Sequence, residues 1–138
     1  MSHFLLETGG LIFAVLGLIH AIYTLADIFR PRRLVPEDQS LIDAMRTCNV
    51  RLAQGGTTMW KTWVGLNFSH SLGVIIFGAL CVLLGAFQQV PDAPRLTLFV
   101  PILIGGIYLF LSLRYWFRIP SFFLAVGTAC FIGAWFLS

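Results

Sequence analysis

Four stretches of the chain carry nearly uninterrupted apolar side chains, at residues 9–29, 62–87, 96–117 and 121–137. Each approaches or exceeds the ~20 residues needed to cross about 30 Å of hydrocarbon. Inside lipid every backbone amide must be satisfied within its own segment, so runs of this length predict helices. The pattern therefore predicts an all-α, integral membrane four-helix transmembrane bundle, one membrane domain over residues 1–138. The expected connections are a long one at 30–61, a short one at 88–95 and a tight turn at 118–120.

Only the long connection has a periodicity of its own. Leu41, Met45, Cys48 and Leu52 recur at helical spacing, with Asp43, Arg46 and Arg51 largely elsewhere, before Gly55 and Gly56 interrupt the pattern. This predicts an interfacial amphipathic helix over 37–54. Such a helix is expected to rest on lipid headgroups or cover one end of the bundle, and the sharper alternative is a docking surface.

Composition strengthens the membrane reading. Of 138 residues, 58% are hydrophobic and 11% charged, with Lys61 the single lysine and a mean hydropathy of +0.87. Soluble domains carry roughly 25% charged residues, so a water-soluble fold is excluded. The net charge is +3, and eight of the nine basic residues fall in two interhelical segments or at their edges, so no basic face large enough for nucleic acid is expected. The distribution of charge predicts orientation instead. Arg30, Arg32, Arg33, Arg46, Arg51 and Lys61 lie in the first connection, Arg114 and Arg118 flank the third, and only Arg95 lies in the second. The positive-inside rule then places the first and third connections in the cytoplasm, with both termini and the second connection outside. The expected location is the bacterial inner membrane. Trp60, Trp63, Tyr115 and Trp116 fall at the expected cytoplasmic boundary, where aromatic belts sit. Residues 1–8 contain Glu7 and no lysine or arginine, so a retained first helix is expected rather than a cleaved signal. Cys48, Cys81 and Cys130 form no CxxC pair, which indicates neither a disulfide framework nor zinc.

Polar groups within apolar runs are costly and so become the candidates for chemistry. His20, Tyr23, Thr24 and Asp27 recur at i, i+3, i+4 and i+7, which gathers them on one face of the first helix. Trp60, Trp63, Asn67 and His70 do the same on the second. At 1.5 Å per residue, His20 and His70 lie about 15 Å and 12–14 Å from the same expected boundary, so their depths match. Tyr108, Ser112 and Tyr115 on the third helix can join the same interior. Ligand-binding candidates are thus His20, Tyr23, Asp27, Trp63, Asn67, His70, Tyr108, Ser112 and Arg114.

Each has a plainer reading. The histidines can simply hydrogen-bond across helices. Asp27 can pair with Arg30 or Lys61, and Arg114 can be a snorkelling anchor. The sharper alternatives are a polar pocket open to the cytoplasm for a quinone or lipid, an Asp27–His20 proton relay, and a b-type haem with His20 and His70 as axial ligands. No HxxxH or ExxH spacing suggests another metal site. Close packing of helices is expected at the small residues Gly65, Ser69 and Gly73, which sit four apart, and at Gly105, Gly106, Ala129 and Gly133.

The segment Gly65-Leu66-Asn67-Phe68-Ser69-His70-Ser71-Leu72-Gly73, preceded by Trp60 and Trp63, resembles a family of small uncharacterised bacterial four-helix membrane proteins with a G-(L/F)-N-x-S-H-S-x-G signature. That resemblance implies a fold and no activity. The Leu113-Arg114-Tyr115 ending also looks like the membrane-associated glutathione and eicosanoid enzymes. There the pattern departs, since Arg46 and Asn49 match only loosely and no glutamate follows Asn49. The expected role is an accessory or structural subunit, or an interaction partner, in a membrane assembly, as a homo-oligomer or with other membrane subunits in the bilayer. The alternative is a ligand-binding or catalytic bundle built on the His, Asp and Asn cluster.

Overall fold

In a computed structural model the described residues are 1–87 and 96–138, and they form five α-helices and one short 3-10 turn. The expected connection at 88–95, with Arg95, lies outside the described residues. The helices are α1 (Ser2–Phe29), α2 (Gln39–Thr47), α3 (Met59–Phe87), α4 (Leu96–Tyr115) and α5 (Arg118–Phe136). Four of them, all but α2, are long and apolar enough to cross a membrane.

The boundaries differ from expectation where local chemistry outweighs hydropathy. α1 begins seven residues early, at Ser2, and so takes in His3 and Glu7. Leu6 is the reason, since it is fully buried in the core and helix is the conformation that carries it there. The tight turn is Trp116 and Phe117 rather than 118–120. Arg118, Ile119 and Pro120 form the first turn of α5, with Phe117 as N-cap. Proline is tolerated there because a first-turn N–H has no intrahelical acceptor to lose. Pro101 inside α4 does forfeit one hydrogen bond, from its own position to Thr97, yet the ring is fully buried.

The expected helix over 37–54 is only half as long. Asp38 caps α2 by accepting the Ser40 N–H at 2.8 Å, and the helix ends at Thr47, whose hydroxyl turns back to the Asp43 and Ala44 carbonyls. After it the chain pairs with the approach to α3. Val50 N–H donates to the Thr57 carbonyl at 3.0 Å and Met59 N–H to the Cys48 carbonyl at 2.9 Å, around an Asn49–Thr58 bridge. Gln54 and Gly55 turn the loop through left-handed backbone, φ 46° and 89°. The apolar contact of α2 is Ile42, only 2% exposed, whereas Leu41, Cys48 and Leu52 are exposed.

The chain divides into two compact units, Met1–Leu16 with Val74–Ser138, and Gly17–Gly73. In the first, Leu6, Phe13, Val74, Cys81, Leu98, Leu124, Phe131 and Ala134 make the core. Phe13 lies at its centre, edge-on to Phe77 at 5.1 Å and to Tyr108 at 6.1 Å, with Phe131 tilted against it at 5.5 Å. Such ring pairs prefer edge-to-face or offset geometry because the face is negative and the rim positive. α1 and α3 touch backbone to backbone here. A Cβ added to Gly10 would stand 2.5 Å from the Gly78 carbonyl oxygen, so glycine is required at this crossing. In the second unit, the C-terminal half of α1 and the N-terminal half of α3 carry the polar residues, with α2 and the loop beyond it.

Candidate functional site

The second unit gathers the expected cluster in part. α1 buries Thr24 and Asp27, keeps His20 half-buried, and turns Tyr23 outward at 41% exposure. The four-residue face is therefore three residues plus a flanking ring. From α3, Asn67, His70 and Trp63 are half-buried and Ser71 fully so.

Asn67 is the hub. Its Nδ2 donates to the Trp63 carbonyl at 2.8 Å, which fixes Oδ1 as the acceptor facing His20 Nε2 at 2.9 Å. The network thus assigns the proton of His20 to Nε2. Around it, Thr24 Oγ1 donates to the His20 carbonyl at 2.9 Å and Ser71 Oγ to the Asn67 carbonyl at 2.8 Å. Both hydroxyls satisfy themselves on their own helix, the usual recourse of Ser and Thr in apolar helices. His70 meets His20 edge to face, with ring centroids 5.3 Å apart.

That contact bears on the expected axial pair for a haem. A macrocycle held by two axial imidazoles must lie between them, and rings in direct edge contact leave no gap for it. His20 Nε2 is in addition occupied by Asn67. The pair as arranged does not fit a b-type haem, and no group of three or more His, Cys, Asp or Glu that could hold a metal occurs among the described residues.

Asp27 pairs with neither Arg30 nor Lys61. Oδ1 accepts the backbone N–H groups of Arg32 and Arg33 at 2.9 and 3.0 Å, and Oδ2 that of Leu34 at 2.7 Å. The cause is legible locally. Pro31 disfavours helical backbone at Arg30, so α1 stops there, and the chain folds back over its own end with its next amides aimed at the carboxylate. A fully buried charge becomes tolerable because three donors surround it.

The remaining candidates belong to the other unit or to its surface. Ser112 shares a 2.7 Å hydrogen bond with Ser121, joining α4 to α5. Tyr108 packs into the aromatic core, and Arg114 lies exposed over Tyr115 at 5.4 Å. A surface groove of about 370 Å³ on α4, lined by Phe99, Ile102, Leu103, Gly106, Ile107 and Phe110, includes none of the polar candidates.

The small residues also separate. Gly105 packs on Thr128 and Phe131, and a Cβ on Gly133 would touch Leu5 at 3.2 Å. By contrast, Gly65, Ser69, Gly73 and Ala129 are exposed, Gly106 is open, and a Cβ on Gly65 would meet nothing of this chain within 4 Å. Within the chain, the close approaches fall instead at Gly9, Gly10, Gly78, Gly85 and Gly127.

One polar pair lies outside the sequence expectations. His3 and Glu7 are four apart on α1, against Gly85 of α3, and His3 Nδ1 is buried with no hydrogen-bond partner among the described residues. The i, i+4 spacing is its signal, hidden when the helix is started at residue 9. Comparison of the chain with protein-family models, with curated proteins and with solved structures finds no match.

Proposed function

We propose that this chain is an accessory subunit of an assembly in the bacterial inner membrane, acting through lateral helix contacts rather than through chemistry at its histidines. The observation that carries this reading is how the polar groups are engaged. Both oxygens of Asp27 hold backbone amides of the same chain, and both ends of the Asn67 amide are bonded, one to Trp63 and one to His20. One of these bonds, His20–Asn67, ties α1 to α3, and an interhelical bond of this kind contributes on the order of 1 kcal/mol in a membrane, while the others fix the chain locally.

Gly65, Ser69 and Gly73 supply the contact surface. They lie four apart on α3 and are exposed. A face of glycine and serine offers lipid chains little to pack against, but it lets a second helix approach to backbone distance. A second copy of the chain or another membrane subunit fits there.

Native mass spectrometry of the protein extracted gently from its own membranes tests this reading. The expected result is a complex of fixed stoichiometry, which Gly65→Leu with Ser69→Leu reduces to the single chain while helical circular dichroism is unchanged. In a Cys48→Ser background, a Gly65→Cys disulfide dimer would identify the neighbour as a second copy. A single chain carrying a quinone or lipid that His20→Phe or His70→Phe removes would overturn the subunit reading in favour of a binding pocket.

A further inference from the structure

The stretch from Arg30 to Lys61 carries six basic side chains against Glu37, Asp38 and Asp43. Asp27, next to this stretch, accepts the backbone N–H groups of Arg32, Arg33 and Leu34 and pairs with no guanidinium among the described residues. Among the described residues, one of the six meets a carboxylate, Arg46 with Asp43 at 3.9 Å. The stretch therefore keeps an excess of three positive charges over its own carboxylates, and its basic residues are exposed.

Two of these arginines are mounted on aromatic rings. The fold-back held by Asp27 lays the Arg33 guanidinium over Tyr23 at 5.1 Å, and Arg46 lies over Trp60 at 5.2 Å, with Trp60 stacked on Trp63. Trp60 opens α3 at the expected boundary, where tyrosine and tryptophan concentrate, and Tyr23 lies about two turns inside the end of α1, within reach of a long arginine side chain that keeps its head towards the interface. A guanidinium laid on a ring keeps its in-plane N–H groups along its rim, the fork that matches phosphate oxygens in pairs. Beside the charge, Leu52 is left 93% exposed at the tip of the loop, an apolar side chain suited to the lipid boundary.

We infer that Arg33 and Arg46, seated on Tyr23 and Trp60, each bind the headgroup phosphate of an anionic phospholipid. Arg30, Arg32, Arg51 and Lys61 supply the surrounding positive field, and Leu52 enters the adjoining lipid. The charge complementarity selects a lipid of net negative charge over a zwitterionic one, whose own cation opposes this surface.

The test is lipid titration of the full-length protein in detergent, read by native mass spectrometry, with phosphatidylglycerol and phosphatidylcholine as the probes. Wild-type protein is expected to retain phosphatidylglycerol preferentially. Raising the salt to about 0.5 M should weaken that binding, because the Debye length, ~8 Å at physiological strength, shortens further. Each basic contact near an anionic surface is worth about fivefold in affinity, so Arg33→Gln with Arg46→Gln is expected to weaken phosphatidylglycerol binding at least about fivefold. Arg118→Gln, on the other unit, should change it less than twofold. Equal retention of the two lipids by wild type, or an unchanged affinity in the glutamine pair, would overturn the proposal. Binding of inorganic phosphate that excludes phosphatidylglycerol would also overturn it, making this a site for the free ion. Should the glutamine pair fail to fold, Arg33→Lys with Arg46→Lys keeps the charge and removes the fork. A loss of at least threefold is then expected, and full retention would sink the claim that the guanidinium geometry matters.

Discussion

A carboxylate buried in an apolar helix is costly unless donors surround it, and Asp27 has three of them, the backbone amides of Arg32, Arg33 and Leu34 in the fold-back beyond Pro31. Removing the carboxylate leaves those amides without their acceptor. Asp27→Ala is expected to destabilise the protein by about 1–3 kcal/mol, the cost of a part-buried donor left unpaired. Unfolding in detergent, followed by circular dichroism, checks the value. Asp27→Asn retains one acceptor oxygen and should lose less. If Asp27 instead moved protons, asparagine and alanine would be equally damaging to function while stability stayed level. Asn67 obeys the same logic, since its orientation is fixed by the Trp63 carbonyl and in turn fixes the His20 proton.

Among the elements, α2 is the helix whose stability depends most on its cap, for it is nine residues long and buries chiefly Ile42. Helices this short are marginal without support. The hydrogen bonds from Ser40 hold the Asp38 carboxyl below its ordinary 3.8. A carboxyl whose pKa is depressed on folding contributes stability that is fully present above the unfolded value and is lost as pH falls through the folded one. Amide protection in α2, corrected for intrinsic exchange, is therefore expected to hold from pH 7 to pH 5 and to fall below pH 3.8. Asp38→Asn should keep a cap and remove that acid dependence. Protection in Asp38→Asn that falls just as wild type does would assign the transition to another group. The proline positions make the complementary point, since Pro120 in the first turn of α5 costs no hydrogen bond while Pro101 within α4 costs one and is retained by burial.

For the molecule as a whole, the distribution of charge predicts how the chain is oriented, and the cysteines make that prediction measurable. Cys48 is exposed in the long connection, Cys81 is buried and Cys130 partly so. With the first connection on the cytoplasmic side, as its six basic residues predict, a membrane-impermeant maleimide is expected to label Cys48 in inside-out vesicles and not in intact cells. Labelling in intact cells would reverse the orientation. Hydropathy and length alone make the four long helices legible, because the need to satisfy each amide within its own segment is a local constraint and sums along the chain. Spacing likewise puts His20 with Thr24 and Asp27 on one face and Asn67 with His70 on another at matched depth, whereas the meeting of those two faces, the outward Tyr23, the short α2 and the packing glycines Gly10 and Gly78 in place of Gly65 escape it. Periodicity describes a face without naming its neighbour, so the choice between Ile42 and Leu41, or between Gly78 and Gly65, is made by packing. The return of residues 48–50 onto 57–59 ends α2 where the pattern would have continued it, and the amides beyond Pro31 give Asp27 its partners. Which segments become helices of membrane-crossing length is thus written in the order of residues, for apolar length is additive and local. Which polar groups hold the chain together and which faces stay open follows only from the folded arrangement, because hydrogen-bond partners and close contacts come from residues distant along the chain.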